Sequence, residues 1–297
     1  MERYFLSVVL FLMATAMHMT HSVLIKKIGI GGFFSTYEII FIRSFITFCI
    51  LAPFFATKKL KFIEKQNLLP NLFVAICSII ATYCWHYGLS MVPVNNAITI
   101  NFLMPMTISI LAIIILKEKV SKMLVISILL CFITIIFFYK PKALFQFGYL
   151  LLIIDLFAYS MTIVFSKKLM LKKQSPISLL FFKVSIICIT SIHVVPALLA
   201  KIQQDPKVMI SCIIVALIYM SETLLFLTAY NFSKVSKLQP LYYTRIVFGV
   251  FISYLILGEY VKTEQLIVAG VIIAINLNLI RYNRRHKEQQ SVSNSNK

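Results

Sequence analysis

Apolar runs of about 20 residues, separated by short polar connectors, fill this chain almost from end to end. About 20 apolar residues in a helix cross the hydrocarbon core of a bilayer. The pattern predicts ten such helices, over 4–24, 35–55, 69–90, 94–116, 121–139, 147–166, 176–199, 208–229, 235–257 and 265–281. Their connectors leave no room for a soluble domain, and the polar stretch 282–297 reads as a disordered cytoplasmic tail. Residues 5–13, followed by Ala14-Thr15-Ala16, also fit a signal peptide. Apolar character continues to Ile25, so a retained first helix is expected. The expected fold class is an all-α integral membrane protein.

The pattern also repeats. Glu118 and Glu259 end the runs ILAIIILKEKV and ISYLILGEYV, 141 residues apart. The same offset aligns Lys26-Lys27 with Lys167-Lys168, Phe41 with Phe182, and Val94 with Val235. Residues 4–139 and 147–281 are therefore read as two five-helix repeats joined through Lys140-Pro141-Lys142-Ala143. Five is odd, so the second copy enters the membrane inverted. Inverted repeats are a plan of secondary transporters, with the substrate site near the midplane where the halves meet.

Composition supports the membrane reading: the chain is 60% hydrophobic with a mean hydropathy of +0.90. A net charge of +19 would point to nucleic acid in a soluble protein. Ten spans sort the basic residues differently, with 19 Lys/Arg on the side of both termini, 7 on the other and three within spans. Excess basic residues mark cytoplasmic loops, so both termini are expected in the cytoplasm of an inner-membrane protein, without a nucleic-acid partner. Six cysteines lie in apolar spans with no CxxC spacing, which indicates neither disulfide nor metal, and no cofactor is expected. The spans 121–139 and 265–281 are nearly all aliphatic and face lipid or another protomer, which admits a homodimer.

Polar residues inside spans carry the candidate chemistry, because ionisable groups there are costly. Asp155, Tyr159, Thr162 and Ser166 share one helical face, and His18 and His21 match Tyr159 and Thr162 at the 141 offset. Arg245 lies mid-span near Gln239, Tyr242 and Gly249, and its planar fork suits a carboxylate or phosphate. Glu222 is the candidate partner for a permanent ion pair with Arg245, and Asp155 has a structural interhelical hydrogen bond as its alternative. Arg43 and Lys183 occupy nearly equivalent places, with snorkelling as the alternative for Lys183. Trp85 is either an interface anchor or a stacking wall, while Tyr242 and Tyr243 lie too deep for an interface belt. Asn101, Pro105 and Ser109 form another stripe, and Glu38 reads as an ordinary first-turn acid. The substrate-binding set expected is Arg43, Trp85, Asn101, Asp155, Tyr159, Glu222, Tyr242, Tyr243 and Arg245.

The stretches WHYGLSMVPVNNAITINFLMPMTISILAIIILKEKV and LTAYNFSKVSKLQPLYYTRIVFGVFISYLILGEYV resemble the EamA group of the drug/metabolite transporter superfamily. The resemblance covers residues 4–281 and implies alternating-access transport of a small-molecule substrate across a lipid bilayer. Ile246 departs from it, standing where the second repeat often has the proline that Pro105 supplies in the first. Helix nine thus lacks that source of a kink. Trp85-x-Tyr87-Gly88-Leu89 with Pro93, together with Tyr243 and Arg245, is similar to S-adenosylmethionine uptake carriers of obligate intracellular bacteria. That likeness implies uptake of this metabolite, while an amino acid or other zwitterion suits the same charges. An integral-membrane transferase is the rival from another class, but His18 and His21 lack HxxxH spacing and no phosphate-binding glycine loop occurs.

Overall fold

A computed structural model describes residues 2–30, 34–57, 67–91, 100–101, 103–139, 147–204, 208–258, 263, 267–268, 270–279 and 281–282. All regular structure among them is helical. The first half contains α1 (Glu2–Ile30), α2 (Thr36–Ala56), α3 (Leu68–Met91), α4 (Met104–Leu116) and α5 (Lys122–Tyr139). The second contains α6 (Phe147–Leu171), α7 (Pro176–Thr190), a 3₁₀ turn at Ile192–Val194, α8 (Val195–Gln204) and α9 (Val208–Phe232). It continues with α10 (Val235–Tyr242), α11 (Arg245–Leu257) and α12 (Gly270–Leu279). Glu259, Val94, the connector 140–143 and tail residues 283–297 lie outside the described residues.

Among the described residues, five helices are long and apolar enough to cross a membrane: Arg3–Ile25, Tyr37–Ala56, Leu68–Gly88, Phe147–Leu171 and Met209–Phe232. A sixth span is counted if the pair Pro176–Thr190 and Ile192–Lys201, bent by 53°, is one crossing. The remaining apolar helices are shorter, and two of them follow a break in the chain.

Those breaks occur at matching places. Leu103 N–H donates to Ile100 O at 2.9 Å, and Thr244 N–H donates to Leu241 O at 3.0 Å. Both are tight i→i−3 turns, and they lie 141 residues apart. Each is followed by a helix of 13 residues, α4 and α11. Each of these ends on a left-handed residue, Lys117 with φ 53° and Gly258 with φ 66°. A proline at 246 is therefore not needed to interrupt the predicted span 235–257, which divides into α10 and α11. Pro240 lies just before the turn, and its missing N–H weakens the ladder locally. Ser35 and Ser175 likewise cap α2 and α7, each accepting the backbone N–H three residues on.

In the core, α1 packs against α9 and α11, and α3 lies along α6. Helix α2 contacts α7 and α9, while α4 contacts α6 and α10. Phe11, fully buried, meets Phe226 and Tyr230 edge-on at 5.1 and 5.7 Å. The α3–α6 approach depends on Gly88, where an added Cβ would fall 2.7 Å from Leu152. Large apolar side chains such as Leu69, Ile114 and Phe137 cover the outer faces, as suits a surface solvated by lipid.

Candidate functional site

Helix α1 carries His18 and His21 three residues apart, so both rings leave one face toward α9. Glu222 of α9 meets them: Oε1 is 3.2 Å from His18 Nδ1, and Oε2 is 3.6 Å from His21 Nδ1. Only the shorter contact is a hydrogen bond, and Glu222 Oε2 has no such partner. On the far side of His21, Nε2 lies 3.1 Å from Arg43 Nη1. The Arg43 guanidinium also stacks over the Tyr219 ring, 4.4 Å from its centroid, and Lys183 Nζ lies 5.5 Å from the same centroid. Glu222 and Arg43 are each 5% exposed.

The break between α10 and α11 sets Arg245 at the first position of α11. Its Nη1 donates to the Tyr242 hydroxyl, and its guanidinium carbon sits 4.3 Å above the Tyr242 ring. That hydroxyl in turn donates to Met104 Sδ at 2.9 Å, joining the start of α11 to the start of α4. Asp155 and Tyr159, one turn apart on α6, lie within electrostatic reach of Arg245 together with Glu222 and Tyr230. Asp155 is 5% exposed and makes no hydrogen bond or ion pair among the described residues.

No ion pair joins Arg43 or Arg245 to a carboxylate among the described residues. Glu222, the partner expected for Arg245, takes two histidines instead. Buried charges ordinarily pair, because desolvation costs several kcal/mol per ion. Here the two arginines rest on tyrosine rings, and Asp155 is unpaired. This arrangement can accept a ligand carrying charges of both signs.

Other expected residues lie apart. Trp85 packs against Ile100, Tyr149 and Leu152. The adjacent Asn101 keeps a buried Oδ1 without a hydrogen-bond partner. Tyr243 turns into the apolar group of Cys131, Ile246, Val268 and Ile272. His18, His21 and Tyr219 stand beside Glu222 and Arg43, though not in the expected set. Helical spacing places both histidines on one face, but their acid lies 204 residues away from His18 and on another helix. Aligning α1 with α9 by their polar positions would have been the signal.

The His18, His21 and Glu222 ligand atoms lie within 4.8 Å of one another, a spacing that a metal ion could bridge. Arg43 opposes that use. A guanidinium only donates, so His21 Nε2 must accept from it, which leaves the ring hydrogen on Nδ1 facing Glu222. A metal-bound histidine needs its other nitrogen to donate to an acceptor.

The acids nearer the ends of helices hold structural bonds, Glu118 through both oxygens and Glu38 through Oε2. Glu38 accepts Ser35 N–H at 2.6 Å and Lys201 Nζ at 2.8 Å in a capping box, the first-turn role expected of it. Glu118 accepts Val235 N–H at 2.9 Å, Ser236 N–H at 3.0 Å and Ser236 Oγ–H at 2.5 Å, so it caps α10. Lys167 Nζ donates to the Tyr230 and Asn231 carbonyls at 2.6 and 3.2 Å, at the end of α9.

Comparison with known proteins finds relatives over nearly the whole chain. Two curated relatives are each named S-adenosylmethionine uptake transporter. The relative from Rickettsia conorii is 23% identical, over 97% of this chain and 99% of its own length. The one from Rickettsia bellii is 24% identical, over 94% of this chain and 95% of its own length. A solved crystal structure superposes with a TM-score of 0.69 over 93% of this chain and 98% of that one, at 13% identity, which shows a shared fold. The model of the EamA-like transporter family matches residues 5–140 and 146–278. The chain belongs to that family of membrane transporters.

Proposed function

We propose that this protein is a secondary active carrier of a small metabolite bearing both a carboxylate and a cationic group. The observation that carries this is the set of charges, Arg43 and Asp155 buried and Arg245 half-buried, that form no ion pairs with one another. Arg245 holds the carboxylate with its bidentate fork, and Arg43 adds positive potential beside it. Asp155 receives the cationic group, and the Tyr159 and Tyr242 rings offer apolar faces to the rest of the ligand. Bonds made by an enclosed ligand replace the missing ion pairs.

The substrate we favour is S-adenosylmethionine, taken up into the cell. It has the carboxylate, the ammonium and a sulfonium, and the relatives of that name match over nearly their whole length. The architecture proposed is ten spans in two inverted five-helix repeats, 4–139 and 147–281, with both termini cytoplasmic in the inner membrane. The matching breaks and helix ends 141 residues apart support two copies of one unit. Trp85 and Tyr243 are better read as parts of the scaffold around the charged groups, while the unmet Oδ1 of Asn101 keeps that residue among the candidates for contact with the ligand.

Uptake of a labelled panel of zwitterionic metabolites, including S-adenosylmethionine, tests the function in proteoliposomes. Saturable uptake of S-adenosylmethionine is expected. Saturable uptake of another zwitterion alone removes the narrower assignment, and uptake of none removes the reading itself. Reporter fusions after Lys61 and Lys287 are expected to report cytoplasm, and a periplasmic signal at either overturns the topology.

A further inference from the structure

We propose that the His18–Glu222 pair binds one exchangeable proton, and that this proton crosses the membrane together with the substrate. The proposal rests on the carrier reading above and adds its coupling ion. Three observations lead to it. Glu222 is buried with one oxygen bonded to His18 and the other unbonded, so the pair has unused capacity for a proton. His21 cannot serve that purpose, since Arg43 donates to its Nε2 and a second ring hydrogen would face a guanidinium. His18 has no such neighbour on its other nitrogen; its side chain is 22% exposed, and its ring makes no second hydrogen bond among the described residues. One ring is fixed by a cation and the other is left open. The proton therefore enters at His18.

Charge around the pair links proton uptake to the substrate. Arg43 of α2, Lys183 of α7 and Arg245 of α11 face it, against the acids Glu222 and Asp155. His86 of α3, Tyr159 of α6 and Tyr219 of α9 complete the titratable surroundings. With neutral histidines the fixed charges favour the positive sign by one. A further proton is resisted until a substrate carboxylate lies against the arginines that face the pair and offsets them there, while the cationic part of the substrate lies against Asp155 on α6. Each ligand then favours the other by the same factor, as linkage requires. The step is a transfer only: a proton from one aqueous face converts carboxylate and imidazole to carboxylate and imidazolium, or its tautomer. It leaves to the opposite face with the substrate.

Two measurements on the full-length protein decide this. In detergent, infrared difference spectra are expected to show a carboxyl or imidazole titration of the pair, which bound substrate moves to higher pH, as linkage requires. His18→Gln and Glu222→Gln should each remove it; a wild type without such a titration, or variants that keep it, overturn the proposal. In proteoliposomes, acid outside should drive accumulation of the panel member that is taken up, with acidification of the lumen reported by a trapped dye. His18→Gln should keep exchange of labelled for unlabelled substrate while losing about tenfold or more of the accumulation driven by pH, a difference of 1.4 kcal/mol. Accumulation indifferent to the gradient, or undiminished in His18→Gln, overturns the coupling while leaving the carrier reading intact. If no panel member is exchanged, the carrier reading fails, the coupling falls with it, and the infrared titration still decides the proton site.

Discussion

Two acids separate the structural from the functional polarity of this protein. Glu118 and Glu222 are both buried and both meet partners from a distant part of the chain. Glu118 spends both oxygens on three donors at the start of α10, all between 2.5 and 3.0 Å. Glu222 spends one oxygen, on a histidine whose other nitrogen is free of hydrogen bonds among the described residues. The arginines near Glu222 lean on rings instead of carboxylates. A saturated acid fixes one arrangement of helices, and an unsaturated group retains bonding capacity for something that comes and goes. On the proposed reading, the contrast sets an acid that fixes the helices against one whose second oxygen is left for a proton.

Variants on each side sharpen or break this comparison. The largest effect is expected at Arg245. Arg245→Gln should lower transport about 100-fold with normal protein level, a loss of two to three kcal/mol of charge-assisted bonding to substrate. Arg245→Lys should lower it about tenfold, since the charge stays and the fork is lost. Wild-type transport in both would remove Arg245 from the site. A failure to accumulate that neutralising Glu222 rescues would make the residue structural.

Glu118→Ala should act in the opposite manner. It leaves two N–H groups and a hydroxyl without acceptors, and should cost about 3 kcal/mol of stability. A fall in thermal midpoint in detergent, with transport per folded molecule nearly retained, is the expected outcome. Unchanged stability would erase the distinction between the two acids. Gly88→Ala comes next: its Cβ would meet Leu152 at 2.7 Å, and overpacking should cost about 1–2 kcal/mol on the same thermal assay. Glu38→Gln should be mildest, about 1 kcal/mol or less, because its lysine partner is 32% exposed and water screens the pair. A larger loss there would mean that this helix start carries more than a cap.

Much of the scaffold was legible in the sequence. Runs such as 4–24 and 208–229 correspond to α1 and α9 because hydrophobicity along a helix is a local property. The breaks before Met104 and Arg245 are less legible, since Pro105 marks the first in the sequence and Ile246 gives no such sign of the second. Turn geometry set by Pro240 and the residues after it was not visible in the pattern. Asp155, Glu222 and Arg245 stand out in the sequence as candidates because charge in a span is conspicuous. Their partners do not, because which side chain meets Glu222 depends on how α1 leans on α9. Tyr243 shows the same limit from the other side: its depth was legible, its direction was not.

The bonds of Glu118 also bear on how the chain is assembled. Its partners Val235 and Ser236 lie 117 and 118 residues later, so they do not exist when α4 first leaves the ribosome. Lys167, by contrast, finds its carbonyls 63 and 64 residues on, within the second half. The first half therefore waits with an uncapped acid until most of the second has been made, whereas the second closes its lysine contact by itself. Order of synthesis thus makes the two halves unequal, and a first half expressed alone lacks the partners that complete it.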